Sequence, residues 1–356
     1  MMRCVKVEAL AGGEILAKNI FSKSGTVLMS EGTKIRNEYI QHLINIGIKE
    51  IYIEDEFSIG VRVDEATEKK IKNDCKQQVK NIIDRFFYCG NNELEKVQEV
   101  AITIISNMLE KKELIFILEG MRENSETLYC HPLNVCAMSV FIALKMKLPA
   151  EKVRNIAEGC LLHDIGYQKV YVKEEHKKTG EFTELEEQEI KKHVIYGYEI
   201  LQNETWCSKE AKEIVLHHHE RWDGSGYPMH LKGERIRKEC RIVAACNVFD
   251  NMVYSFQEER LKIYKALRYL KKQAGILFDK EVVACMLENI AAYPNGCIVV
   301  LDNGENGIVL YQNENSPDRP VVRLLMDSNG KRYEEWKEID LKENMERSII
   351  DTVEYL

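Results

Sequence analysis

Apolar residues recur at two different periods along this chain, and the change of period divides it into parts. From 112 to 293 they recur at helical spacing almost without interruption. After the stretch 293–296 the period changes to two, in short runs such as 297–301 and 321–325 that are separated by Asn, Gly and Asp. The pattern predicts a helical core followed by a small β-rich C-terminal domain at 294–356.

The first 60 residues combine both periods in short elements. The run from Val5 to Leu10 and the triplet 27–29 are compatible with strands and lie next to glycine-containing turns. Apolar positions on one face predict a helix over 34–46, and a further strand follows at 48–53. This alternation predicts a small α/β module at residues 1–60.

Residues 61–111 are rich in charge and carry apolar side chains at helical spacing. Val79, Ile82 and Ile83 fall on one helical face, and a second such face begins at Val97. The segment is predicted to form two helices that connect the N-terminal module to the core. Two roles for the apolar faces remain open: packing within the chain, and pairing with a second copy in a homodimer.

Composition and charge narrow the classes of partner. The 356 residues are 45% hydrophobic and 30% charged, with a formal net charge of −8. A mildly acidic chain is not expected to bind a nucleic acid polymer or a membrane surface, because both are polyanions. A small anionic ligand at a locally positive site is compatible with this charge.

The arrangement of the cysteines and the length of the apolar runs indicate the cellular compartment in which the protein is expected. The eleven cysteines are an odd number, form no CxxC pair and often lie in apolar helical stretches. Most are expected to be buried thiols in a reducing compartment rather than parts of a disulfide framework. No run approaches eighteen apolar residues and no signal peptide is apparent, so we expect a cytoplasmic protein without a membrane span.

Histidines concentrate in the helical region, which holds all but one of the nine. Five segments follow in order, centred on His131, His163-Asp164, His193, the run 217–219 and the stretch 241–250. A lone helical histidine is more often a core residue than a ligand, but three consecutive histidines before a glycine-rich turn are difficult to explain by packing. Imidazole and carboxylate donors that converge from several helices commonly build a transition-metal site. The ordered set therefore favours a metal site.

The segment 218–228, which reads HHERWDGSGYP, resembles the HD-GYP family, a branch of the HD phosphohydrolase superfamily. The resemblance extends over roughly residues 120–290. It implies a mainly α protein with a helical HD-GYP bundle core at 112–293. In the sequence this core is flanked by the small α/β N-terminal module and the small β-rich C-terminal domain.

The resemblance also implies a set of metal ligands. A first ion is expected to be held by four side chains: His131, His163, Asp164 and Asn247. Asp164 is expected to bridge to a second ion, which is held by three further histidines: His193, His218 and His219. Family members with a third ion use a glutamate where this chain has Thr127, so at most two divalent transition-metal ions are expected. The mixed imidazole and carboxylate set favours Fe or Mn over Zn or Ni.

The implied activity is that of a metal-dependent phosphodiesterase. Members of the family hydrolyse cyclic di-GMP to pGpG or GMP with a metal-activated hydroxide, and some act on cyclic GMP-AMP instead. The expected catalytic side chains are Asp164 and Tyr167, which directly follows the motif 163–166. The loop Gly226-Tyr227-Pro228 resembles the family's contact surface for partners such as diguanylate cyclases, and is expected to be exposed.

The chain departs from the family pattern at three places. Asn247 stands where the family has aspartate, and Tyr167 stands where it has lysine. An Arg-Pro element that grips the ligand is missing from the stretch 255–259. Two functions therefore stay open: a working phosphodiesterase, or an impaired module that binds a cyclic dinucleotide or a signalling partner without turnover. The intact ligands of the second ion favour the enzyme.

Overall fold

The computed structural model describes residues 3–21, 27–46, 48, 50–54, 61, 67–89, 93–110, 130–172, 182–254, 260–314 and 316–353. These residues form two compact units. One contains the described residues up to 61 together with those from 290 onward, and the other contains the helices between 67 and 289. Within the described part of the chain, no helix is long and apolar enough to cross a membrane.

The N-terminal part of the first unit is the small α/β module that the sequence predicts. Its elements are β1 (Arg3–Lys6), β2 (Ile15–Leu16), β3 (Ile20–Phe21), β4 (Val27–Met29), α1 (Asn37–Asn45) and β5 (Glu50–Glu54). β5 lies between β1 and β2 in an antiparallel sheet, while β3 and β4 form a separate pair. The predicted strand at 5–10 ends early, because the chain turns into a 3₁₀ segment at Val7–Ala9. Leu16 and Leu43 lie in the core of this module.

The C-terminal part of the same unit is the predicted β-rich domain. Its strands are β6 (Ile298–Leu301), β7 (Asn306–Asn313), β8 (Ser316–Met326), β9 (Arg332–Asp340) and β10 (Ile349–Val353). They form one antiparallel sheet in the order β10-β6-β7-β8-β9. Gly307 in β7 has no room for a side chain, because an added Cβ would lie 2.4 Å from Cγ1 of Val322.

A charged cluster joins the turn after β6 to β9 and to the segment before β10. The Tyr333 hydroxyl and the Arg347 guanidinium both donate to the Glu305 carboxylate. Burial opposes ionisation of Glu305, but these hydrogen bonds outweigh burial and lower its pKa from 4.5 to about 2. The carboxylate therefore stays ionised, and the cluster intact, through the neutral pH range.

The second unit is helical. Its helices are α2 (Thr67–Cys89), α3 (Val97–Glu110), α4 (Cys130–Lys145), α5 (Ala150–Leu162), α6 (Glu184–Lys191), α7 (His193–Leu201), α8 (Lys209–His217), α9 (Lys238–Tyr254), α10 (Ile263–Gln273) and α11 (Lys280–Asn289). α4, α5 and α9 pack on one another and bury large side chains such as Ile142, Leu161 and Phe249. The described cysteines are free thiols and most are buried, which agrees with the prediction that they are small core residues.

The two predicted connector helices, α2 and α3, lie against this core. α3 packs on α4 and α5 and buries Val97, Val100 and Ala101. The Gln98 amide of α3 donates a hydrogen bond of 2.9 Å to the carboxyl of Glu158 in α5. These contacts favour packing within the chain as the role of the apolar faces, and a homodimer stays a prediction.

Candidate metal centre

The centre is built where α5 ends. His163 caps this helix and Asp164 follows it, before the 3₁₀ turn Ile165–Lys169. Gly166 lets this turn lie directly against the start of α7, because an added Cβ would fall 1.9 Å from the carbonyl oxygen of His193. The chain thereby brings Asp164 close to a histidine of another helix.

A first cluster forms on one side of Asp164. Nε2 of His163 lies 3.2 Å from Nε2 of His131, which projects from the first turn of α4. Oδ2 of Asp164 lies 3.3 Å from the same atom of His163 and 3.7 Å from that of His131. These three residues offer ligand atoms that all lie within 4.8 Å of one another.

A second cluster forms on the other side. Nε2 of His193, the first residue of α7, lies 3.3 Å from Nε2 of His218 at the end of α8. His219 completes this group, again with ligand atoms within 4.8 Å of one another. Oδ1 of Asp164 lies 3.6 Å from Nε2 of His193 and 3.7 Å from Nε2 of His218. Each carboxylate oxygen of Asp164 therefore faces its own cluster.

The tautomers of three histidines follow from their backbone contacts. Nδ1 of His163, His193 and His218 lies 2.6, 2.8 and 2.9 Å from a carbonyl oxygen of the preceding turn, in the order Cys160, Ile190 and Val215. A carbonyl oxygen only accepts, so each Nδ1 carries the proton and each Nε2 presents a lone pair. Lone pairs that face one another at such short distances repel unless a cation lies between them. The donor atoms thus fit a metal ion in each cluster.

His131 is oriented by a carboxylate that the sequence reasoning missed. Its Nδ1 lies 2.6 Å from Oδ2 of Asp250, which is only 2% exposed. Burial opposes protonation of His131, but the hydrogen bond and charge of Asp250 outweigh burial and raise its pKa. The signal was present in the sequence, since Asp250 follows Asn247 by one helical turn and so shares its face.

Asn247 lies beside the first cluster. Its side chain is 1% exposed and interacts with the ring of His131. Its Oδ1 accepts a hydrogen bond of 3.1 Å from Nδ2 of Asn251 on the same helix. The position matches the predicted one, while ligation of an ion by this amide stays a prediction.

The protonation states of Asp164 and of two second-cluster histidines suit metal binding. Burial, reinforced by neighbouring imidazoles, lowers the pKa of His218 and His219 well below the ordinary value, so both rings are neutral at pH 7. Burial alone would raise the pKa of Asp164, but the imidazoles of His163 and His131 hold it well below its usual value. An ionised carboxylate and neutral imidazoles are the forms that bind a cation.

Two tyrosine rings cover the second cluster. Tyr167 stacks on His193 with ring centres 4.2 Å apart, and Tyr227 stacks on His219 at 4.6 Å, both with 13° between the planes. Tyr227 and Pro228 are half-buried, on a loop whose next residues, Met229 and His230, are exposed. Tyr227 forms part of the wall of the metal centre, and a role of this loop in contacting a partner stays a prediction.

The loop that carries Tyr227 is held by hydrogen bonds to a buried carboxylate. The buried carboxylate of Glu220 accepts hydrogen bonds of 2.8 and 2.9 Å from the backbone amides of Met229 and Leu231. Gly226 passes so close to the end of α8 that an added Cβ would lie 2.4 Å from the carbonyl oxygen of His219. The loop is therefore held in one position relative to the ligands.

Two of the predicted features lie outside the described residues. They are Thr127, at the position of a third-ion ligand, and the stretch 255–259, where the Arg-Pro element is missing.

The fold and the paired clusters define a helical metal-binding domain of the HD class. A family model described as an HD domain matches residues 103–282, and one described as a KOW domain associated with HD domain matches residues 298–355. The chain belongs to the HD domain family.

Named relatives agree with this membership. The cyclic di-GMP phosphodiesterase PA4108 of Pseudomonas aeruginosa is 30% identical over 230 residues, which make up 64% of this chain and 55% of that protein. The cyclic di-GMP phosphodiesterase response regulator RpfG of Xanthomonas campestris pv. campestris is 38% identical over 159 residues, or 44% of this chain and 42% of that protein. The chain thus spans about half the length of these curated relatives.

A solved structure supports the fold. The HDG"Y"P protein Bd1817 from Bdellovibrio bacteriovorus is 14% identical with a TM-score of 0.53, over 80% of this chain and 98% of that chain. The two chains share a fold.

Proposed function

We propose that this chain is a metal-dependent cyclic dinucleotide phosphodiesterase of the HD-GYP type, which hydrolyses cyclic di-GMP to pGpG or GMP. The observation that carries the proposal is the placement of Asp164, whose two oxygens each face a separate cluster of histidine Nε2 atoms. One carboxylate shared by two cation sites is the arrangement that phosphodiester hydrolysis by two metals requires. The two named relatives are phosphodiesterases acting on cyclic di-GMP, which supports the choice of substrate.

Two divalent ions fit the residues that are present. The first would be held by His131, His163 and Asp164 with the amide oxygen of Asn247, and the second by Asp164 and three histidines: His193, His218 and His219. When bound, such ions activate a water molecule and neutralise charge on the phosphoryl oxygens. We favour Fe or Mn, because the ligands are imidazoles with one carboxylate.

The chain's own side chains prepare the site in three ways. The Nδ1 hydrogen bonds of His163, His193 and His218 aim the Nε2 lone pairs of these three rings inward, so these ligands need little reorganisation. The rings of Tyr167 and Tyr227 exclude water from one side of the second cluster. Tyr167 places a neutral hydroxyl donor where the family has lysine.

One observation favours the second candidate, a module that binds its ligand without turnover. Asn247 brings no negative charge to the first cluster, and its Oδ1 is already engaged by Asn251. A half-occupied centre would bind a phosphodiester but hydrolyse it slowly. A cytoplasmic location and a diguanylate cyclase contact at the Gly226-Tyr227-Pro228 loop belong to the same proposal.

Metal content and hydrolysis measured on one preparation test the proposal. Protein purified without oxygen is expected to contain up to two equivalents of Fe or Mn by elemental analysis, and to convert cyclic di-GMP to pGpG or GMP. Asp164→Asn is expected to lose both properties, because it weakens the ligand that the clusters share. His42→Ala, which changes an exposed histidine of α1, serves as the matched control and is expected to change neither. Full metal occupancy with binding but no turnover of cyclic di-GMP would select the second candidate, whereas absence of both metal and ligand binding would refute both.

A further inference from the structure

A cyclic dinucleotide carries two phosphodiesters, and in the proposed reaction one of them would lie at the metal ions. The other would lie outside the ions as an anion that a nearby cation could bind. This chain lacks the lysine that the family has at position 167, where Tyr167 contributes a neutral ring. A cation that contacts the second phosphate would therefore come from elsewhere in the chain.

Lys191 is placed to supply this cation. It is the last residue of α6, two positions before the ligand His193. Its Nζ lies 5.9 Å from the centre of the Tyr227 ring, and that ring stacks on the ligand His219. The lysine side chain is exposed, and no carboxylate of the described residues lies within 4.0 Å of its Nζ. The contact with a neutral ring holds the ammonium near the mouth without cancelling its charge.

Two neighbouring cations are already engaged. Nζ of Lys192 lies 2.8 Å from the carboxylate of Glu189, so its charge is neutralised on the surface of α6. The guanidinium of Arg221 is partly buried and donates a hydrogen bond of 3.0 Å to the carbonyl oxygen of Glu220 within its own loop. Lys191 differs from both because, among the described residues, its one cation contact is the neutral ring of Tyr227.

We propose that Lys191 is a substrate-binding residue that contacts the phosphodiester of a cyclic dinucleotide lying outside the metal centre. The assignment rests on the proposed function, since it concerns the substrate of the same site. A lysine suits this task because its compact charge sits on a flexible stem and reaches a phosphate without a fixed geometry. In this chain the cation comes from the end of α6, next to the tyrosine wall, instead of from the turn after Asp164.

The test compares Lys191→Met, which keeps the length of the stem but removes the charge, with Lys191→Arg and with the control Lys192→Met. Three quantities are measured on the metal-loaded full chain: metal content, the dissociation constant and KM for cyclic di-GMP at two salt concentrations, and the KM for bis(p-nitrophenyl) phosphate. The last compound has a single phosphodiester and so reports on the metal centre alone.

Lys191→Met is expected to weaken binding of cyclic di-GMP by about tenfold, the scale of one charge-assisted contact. Its binding should also depend less on salt, because one ionic contact is lost. Metal content and the KM for bis(p-nitrophenyl) phosphate are expected to stay at the parent values. Lys191→Arg keeps the charge, and its dissociation constant for cyclic di-GMP is expected to stay within about threefold of the parent value. Lys192→Met is expected to bind cyclic di-GMP as the parent does.

Several results would overturn the assignment. Equal binding of cyclic di-GMP by the parent and by Lys191→Met would exclude the contact. An equal loss in Lys192→Met would mean that only the net charge of the surface matters. A parallel loss with bis(p-nitrophenyl) phosphate would mean that Lys191 acts on the metal centre through Tyr227. If the metal-loaded parent binds neither cyclic di-GMP nor cyclic GMP-AMP, the proposed function fails and the assignment fails with it, an outcome recognised in the parent before any variant is compared.

Discussion

Replacing Asn247 by aspartate is the sharpest test of the first cluster. The two side chains are nearly isosteric, so the change is mainly one added negative charge at a site that is 1% exposed. Nδ2 of Asn251, which now donates to Oδ1 of Asn247 at 3.1 Å, can donate equally well to a carboxylate oxygen. Packing and one hydrogen bond are therefore conserved, and the electrostatic effect is isolated.

Asn247→Asp is expected to raise the metal affinity of the first cluster and to lower the stability of the metal-free protein. A carboxylate binds a hard or borderline cation more strongly than an amide does, and even indirect changes around a metal site alter affinity by about 10–100-fold. Asn247→Asp is therefore expected to tighten the first site by at least this factor, which corresponds to about 1.4–2.8 kcal/mol. Without metal, the new charge is buried near two others, Asp164 and Asp250, and is expected to lower the free energy of unfolding by roughly 1–3 kcal/mol.

The assay combines metal titration with unfolding in the presence and absence of a chelator. The expected result is a variant that is less stable than the parent when metal-free and more stable when loaded. Asn203→Asp adds the same charge at an exposed position just after the end of α7, so it is the control and should show neither effect. Unchanged affinity and stoichiometry in Asn247→Asp would mean that position 247 does not face an ion. Cyclic di-GMP hydrolysis is expected to rise modestly in this variant, and further when Tyr167→Lys is added.

Two other predictions concern a ligand's orientation and the C-terminal sheet. Asp250→Asn replaces the charged acceptor of the His131 Nδ1 proton, and it is expected to weaken metal binding at the first cluster by about 10–100-fold in a direct titration. Glu305→Gln is expected to destabilise the C-terminal sheet by roughly 1.5–3 kcal/mol at pH 7, since it removes a charged hydrogen-bond acceptor. Because the folded-state pKa of Glu305 is lowered from 4.5 to about 2, its contribution is full above pH 4.5 and is lost as the pH falls toward 2. Hydrogen exchange of β6–β10 in the full chain, measured against pH, is expected to show this loss in the parent and a flatter profile in Glu305→Gln.

Each of these two predictions has an internal control. In Asp250→Asn the second cluster should keep its ion, because His193 and His218 are oriented by backbone carbonyls and not by Asp250. Loss of both ions together would indicate a collapse of the helices instead of a local effect. For Glu305→Gln, a profile as steep as the parent's between pH 4.5 and 2 would show that other carboxylates govern the acid transition.

Those parts of the fold that depend on a local pattern of apolar residues could be predicted from the sequence. Helical periodicity and the switch to period two predicted the helical unit and the C-terminal sheet, which the structure confirms. The ordered motifs also predicted which residues converge on Asp164, because a resemblance carries long-range contacts that spacing alone cannot supply. The predicted strand at 5–10 was too long, since three of its residues adopt a 3₁₀ turn that apolar spacing does not distinguish from a strand.

Other features depend on tertiary contacts that no local pattern encodes. The stacking of Tyr227 on His219 arises because Glu220 and Gly226 fix the path of the loop, so this ring contact could not be inferred from a turn-like sequence. The role of Asp250 required knowledge that α4 and α9 meet at His131. Lys191 and Lys192 are adjacent in the sequence, and only the structure separates the lysine paired with a carboxylate from the one beside the metal centre.

Two of the three departures of this chain from the family pattern, Asn247 and Tyr167, have opposite effects on the net charge of the proposed site. Two divalent ions at the proposed site would bring four positive charges, which Asp164 and Asp250 would reduce to two. An aspartate at position 247 would leave one, and a lysine at position 167 would restore two. The pair Asn247 and Tyr167 therefore leaves the site with the same net charge as the family's pair of aspartate and lysine. The difference is that the positive charge then lies on the ions and not on a lysine side chain. Metal affinity is therefore expected to be lower than with the family's pair, while the electrostatic attraction for a phosphodiester is expected to be the same. This is why changing both residues is expected to increase metal occupancy and hydrolysis, whereas Tyr167→Lys alone adds a like charge beside weakly held cations and is expected to lower metal affinity.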